Sequence, residues 1–169
     1  FLAQAVPAGH LVAEEVVVHA AELDVQLAYL GASRQRESDV PYQNIIGLNE
    51  HAGVLHYQRY DLSAPKQRYS LLVDAGRRFR GYCADIPRTY AGPDAPTEFE
   101  ALISAMHSLK DTLIAHIAPG VDFVALHEKM HQGLADILVA HGLYTGSAES
   151  AVEAGITRAF CPHGLGHSL

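Results

Sequence analysis

The chain has 169 residues, of which 49% are hydrophobic and 18% charged, enough for one domain with a substantial buried core. Its formal charge of −7 with neutral histidines offers no basic face to nucleic acid or to an anionic membrane surface. Two cysteines, Cys83 and Cys161, are too few for a disulfide-stapled secreted scaffold, so a reduced cytoplasmic protein is expected.

Residues 1–12 are apolar but carry no basic leader, and they meet Glu14 and Glu15 too soon for a membrane span or a signal peptide. Residues 9–30 read as helix, with Val12, Val16 and His19 at helical spacing. A break is expected at Leu23-Asp24-Val25, where Asp24 would cap a second short helix through Tyr29. Residues 31–41 read as a loop. Strand-like runs follow at 42–48, 52–57, 69–75 and 81–90, with a polar loop containing Pro65 between the second and third.

The period changes after Gly92-Pro93. Thr97 precedes Glu98 and Glu100, acidic residues that suit a helix N-terminus. Leu102, Ile103, Met106, Leu109 and Leu113 then recur at helical spacing. Pro119-Gly120 ends this helix, Asp122 starts another, and Gly142 stops it. A short helix is expected over 149–155. The layout is α+β, with helices packed on a mainly antiparallel sheet.

Two aspartates stand out. If residues 69–75 and 81–90 form a hairpin turning at Phe79-Arg80, Asp74 falls opposite Asp85, and both carboxylates leave the sheet on one face. Directly opposed Cβ atoms lie about 4.5–5.5 Å apart. Paired ions in hydrolytic sites sit about 3.5–4 Å apart, a span that two such carboxylates can bridge. Like charges so placed destabilise a sheet unless a cation compensates. The bland alternative is a pair of solvated aspartates at strand ends.

Eleven histidines are an unusual count, and imidazole is the commonest metal ligand, although surface and core positions account for most histidines. His163-Gly164-Leu165-Gly166-His167 has two glycines and no Glu after His163, so it does not read as a zinc-binding helix. Glycines beside histidine suit a close backbone approach to a ligand or strand, or simply a turn. His56 sits in the run 52–57, on the face it shares with Val54; a core histidine is the default for such a position.

Together these segments resemble the pita-bread (M24-like) metallopeptidases, and among them the bacterial Xaa-Pro dipeptidases, or prolidases. The resemblance rests on Asp39-Val40-Pro41-Tyr42-Gln43-Asn44-Ile45-Ile46 and Leu48-Asn49-Glu50-His51-Ala52-Gly53-Val54-Leu55-His56-Tyr57. It continues through Leu72-Val73-Asp74-Ala75-Gly76, Gly81-Tyr82-Cys83-Ala84-Asp85-Ile86-Pro87-Arg88-Thr89 and Pro162-His163-Gly164-Leu165-Gly166-His167. It spans nearly the whole chain.

The resemblance implies that Asp74, Asp85 and His167 are metal ligands, with Asp85 bridging two divalent ions. It implies manganese as the usual metal, with cobalt or zinc compatible with the same donors. His56 would contact substrate and steady the tetrahedral intermediate, and His163 would be a substrate-side neighbour. The implied reaction is hydrolysis of Xaa-Pro dipeptides by a hydroxide that the two ions activate. Aminopeptidase P action on longer peptides and a non-catalytic binding module are the alternatives. The family completes its site with two further glutamates and another histidine. Residues 1–169 are therefore expected to be part of a pita-bread catalytic domain, short of ligands and of activity by themselves. A cytoplasmic homodimer acting on small peptides is the expected setting.

Overall fold

The computed structural model describes residues 19–166, and these divide after Pro96 into two units. In the first, helix α1 (Glu22–Ser33) runs without interruption. The break expected at Leu23–Val25 falls instead at residues 19–21, which are not helical, and Asp24 lies within the first turn of the helix that follows. There its carboxylate accepts the otherwise orphaned Ala21 N–H at 2.9 Å. Residues 1–18, which include the earlier part of the expected helix, lie outside the described residues.

A three-stranded antiparallel sheet follows, in the order β1 (Ile45–Leu48), β2 (Ser70–Ala75), β5 (Ile86–Ala91). Its hairpin is extended by the short pair β3 (Arg78–Phe79) and β4 (Tyr82–Cys83). Val25, Ile46, Leu48 and Leu71 form the core of this unit, with Val73 and Tyr90 against it. Each fully buried aliphatic side chain of this kind contributes about 1.5–3 kcal/mol.

Two further expectations are corrected in this unit. Residues 52–57 form no strand; Asn49–Gly53 is a 3₁₀ turn, and His56 follows in an exposed turn at φ 55°. The hairpin turns at Arg80-Gly81, both with positive φ, not at Phe79-Arg80. Asp74 therefore faces Pro87 rather than Asp85, a slip of two residues from the expected register. A slip of one would have sent the carboxylates to opposite faces, whereas a slip of two leaves them on the same face as diagonal neighbours.

The second unit is helical: α2 (Thr97–Ala115), α3 (Phe123–Ala140), α4 (Ala148–Glu153) and α5 (Ile156–Phe160). Asp122 caps α3 as expected, accepting the Val124 N–H at 3.0 Å. Leu113, Met130, Leu134 and Leu138 form the core of this unit. The last short helix was not anticipated, because five residues after Gly155 carry too little periodicity to read. No helix among the described residues is long and apolar enough to cross a membrane.

Candidate metal centre

Sheet register and one tyrosine bring the acidic residues together. Ile45 pairs with Asp74 across β1 and β2, so the segment entering β1 passes the carboxylate pair. From that segment the Tyr42 hydroxyl lies 2.8 Å from Asp74 Oδ1 and 2.8 Å from Asp85 Oδ1. Gly76 makes room here: a Cβ on it would collide with the Ala84 carbonyl and the Pro41 ring.

A phenol has one proton, so Tyr42 can donate to only one of the two carboxylates at a time. Negative charge thus converges on the Tyr42 hydroxyl from two sides. The Asp74 carboxyl is pushed above its ordinary range by burial and by the nearby Asp85 charge, with Tyr42 and the His56 side chain pulling the other way. Burial and the two carboxylates likewise push the Tyr42 phenol well up. Two carboxylate oxygens converging on one phenol are a donor set that fits a hard divalent cation. Among the described residues they are a pair, not a set of three.

The other sequence-derived positions are less gathered. His56 reaches Asp74 electrostatically from its exposed turn. His163 is exposed, its Nδ1 lying 3.2 Å from the Gly164 carbonyl oxygen. His167 lies outside the described residues. Tyr42 was within the recognised stretch but carried no signal as a site residue, since nothing in its spacing tells where its hydroxyl ends.

Two other groups invite a metal reading. Glu22, His51 and Asp61 place ligand atoms within 4.8 Å of one another. Glu22 is already saturated, however: Oε1 takes the Leu48 N–H at 2.9 Å and His51 Nδ1 at 2.8 Å. Oε2 takes the Tyr57 hydroxyl at 2.8 Å and the Asp61 N–H at 2.9 Å. Burial alone would raise its pKa, but these four hydrogen bonds bring it below the ordinary value. It is a clamp between α1 and the loops around the sheet. On α3, His127-Glu128-Lys129-Met130-His131 spells the H-E-x-x-H pattern, which went unread in the sequence. The two Nε2 atoms lie 3.2 Å apart and His131 Nδ1 is 2.9 Å from Thr157 Oγ1. No third His, Cys, Asp or Glu joins them among the described residues, and burial, His127 and Arg158 all depress the His131 pKa.

The sequence profile of Metallopeptidase family M24 matches residues 3–169. A Xaa-Pro dipeptidase from Marinobacter nauticus is 54% identical over 164 residues, covering 96% of this chain and 38% of that protein. One from Sodalis glossinidius is 46% identical over 163 residues, covering 95% and 37%. The chain therefore spans little more than a third of the length of these curated relatives. Among solved structures, proline aminopeptidase P II from Yersinia pestis superposes with a TM-score of 0.78 at 22% identity, over 97% of this chain and 39% of that one. A zinc-substituted Escherichia coli aminopeptidase P in complex with product gives 0.76 at 20%, over 97% and 39%. These structural likenesses identify the fold as pita-bread, as the α+β layout implied.

Proposed function

The chain belongs to metallopeptidase family M24, and from that premise we propose that it is part of the catalytic domain of a metal-dependent Xaa-Pro dipeptidase. The observation that carries this reading is the Asp74–Asp85 pair, two carboxylates meeting at one phenolic proton. Asp74 and Asp85 would hold divalent metal, and the resemblance adds His167. Manganese suits the hard carboxylates; cobalt or zinc is compatible with the same donors, and the zinc-substituted structural neighbour supports zinc among these alternatives. Bound metal supplies Lewis acidity and neutralises the paired charge during amide hydrolysis.

The chain's own residues supply position and protons. Tyr42 holds the two carboxylates at one point through its hydroxyl. His56, which the resemblance assigns to the substrate and which acts electrostatically on Asp74, would donate a hydrogen bond to the oxygen on which charge develops as the peptide carbonyl is attacked. His163 is assigned to the substrate side by the resemblance. An Xaa-Pro bond is a tertiary amide with no N–H, so selectivity must come from a pocket for the ring. The named relatives at 54% and 46% identity favour dipeptides; the structural neighbours named aminopeptidase P favour the second reading, longer peptides with the same N-terminal bond. A cytoplasmic homodimer completes the proposal, supported by free Cys83 and Cys161 and by the family resemblance.

Manganese titration of the chain beside Asp85→Ala tests the centre. Weak binding by the chain is expected, lowered at least about tenfold in the variant; measurable binding that is equal in both would refute the assignment. Assaying the longer gene product on Xaa-Pro dipeptides against longer Xaa-Pro peptides separates the two substrate readings.

A further inference from the structure

At the far end of the hairpin lies a cleft of about 390 Å³ lined by Arg34, Arg77, Arg78 and Arg80, together with Gln35 and Asp39. All four arginines are exposed. Asp39 is the single carboxylate among the lining residues, and Arg36 already occupies both of its oxygens, at 2.7 and 3.0 Å. A chain of net charge −7 thus gathers four of its 12 Lys and Arg side chains around one concavity. Crowded like charges in a cleft focus a potential that attracts anions.

The backbone adds an independent observation. Arg34 caps α1 and Arg80 opens the Arg80-Gly81 turn, at φ 52° and 51°. Glycine or asparagine is the ordinary residue in that left-handed region, so neither the cap nor the turn calls for arginine. Strained residues of this kind cluster at ligand-binding positions. The two walls are also tied together. Gln35 donates from Nε2 to the Gly76 carbonyl at 3.2 Å and accepts the Arg78 N–H at 3.3 Å, which fixes the end of α1 against the hairpin. The Arg80 guanidinium sits 5.3 Å from the centroid of the Phe79 ring, which limits its sweep.

We propose that this cleft is a binding site for a small polyanion of the phosphate class, a di- or triphosphate, separate from the aspartate pair. Guanidinium forks match phosphate oxygens two at a time, and several around one cleft call for more oxygens than a single carboxylate offers. The volume lies within the usual span of small-ligand clefts. Neither Asp74 nor Asp85 lines it, so the proposal stands whether or not the peptidase reading does.

The test is calorimetric titration of the chain with inorganic pyrophosphate in the presence of a metal chelator, at low salt and again at about 0.15 M. One saturable site is expected, weakened about tenfold by Arg77→Gln and by Arg80→Gly, and unchanged in Asp85→Ala. Arg80→Gly is also expected to hold or raise the melting temperature, because glycine relieves the left-handed backbone while removing the charge. Unsaturable uptake, or full affinity in the Arg77→Gln/Arg80→Gly double variant, would overturn the site. So would binding of a polyglutamate peptide with none of pyrophosphate, which would make the cleft a protein-docking surface.

Discussion

Glu22 and the Asp74–Asp85 pair lie in the same unit, yet their negative charge is met in opposite ways. Glu22 is 1% exposed and accepts four hydrogen bonds, two on each oxygen. Asp74 and Asp85 share the one proton of Tyr42. Proximity of acidic and imidazole groups is therefore a poor guide to a metal site in this molecule. By proximity alone Glu22, His51 and Asp61 are the better cluster. By the approach of two carboxylates to one shared hydroxyl the aspartates are. A carboxylate whose lone pairs are filled by fixed backbone N–H groups holds the fold together, and a cation could enter only by breaking it.

The largest expected effect is at the clamp. Glu22→Gln keeps the shape but turns one acceptor into a donor facing two donors, so it should cost about 3 kcal/mol of stability, read from the urea midpoint. The acid limb should change with it. The folded pKa of Glu22 lies below the ordinary 4.5, so the unfolded chain binds more protons between the two values. The stabilisation is complete above the unfolded pKa and is lost as pH falls through the folded one. Glu22→Gln should remove that part of the pH dependence. An unchanged midpoint and slope would mean that the four hydrogen bonds do not hold the clamp.

The opposite sign is expected at the pair. Asp74→Asn removes a charge that burial and Asp85 both oppose while keeping an oxygen for Tyr42. The metal-free chain should gain up to about 1 kcal/mol, measured by thermal melting with chelator. The same substitution should lose manganese binding, so stability and binding move apart as they do where a site is built from unfavourable parts. Destabilisation by Asp74→Asn would place this aspartate with Glu22, among groups that hold the fold.

The aspartate side of this contrast was readable in the sequence and the Glu22 side was not, for physical reasons. The helices α2 and α3 emerged from apolar spacing with an Asp cap, because long amphipathic runs repeat their signal many times. The aspartate face emerged because side-chain parity survives an error of two residues in register. The turn itself did not, since arginine at a left-handed first position hides a turn that asparagine or glycine would have announced. His56 was misread as a strand residue because alternating Val54 and His56 mimics a strand in a short turn. Glu22 and Tyr42 reach partners 26 to 43 residues away, and no local pattern encodes such contacts.

The smallest effect on metal binding should come from the residue that joins the two aspartates. Tyr42→Phe keeps the ring and deletes the hydroxyl, leaving both carboxylate oxygens without that proton; the metal-free chain should lose about 1 kcal/mol. Manganese would neutralise the same oxygens directly, so its affinity should change by less than about tenfold. The informative measurement is the double variant with Asp74→Asn. If the hydroxyl serves both carboxylates, removing it should cost less once one of them has lost its charge, and the two stability changes should fail to add. Strict additivity would mean that the Tyr42 proton rests with Asp85 alone and that the pair is joined by the sheet, not by the phenol.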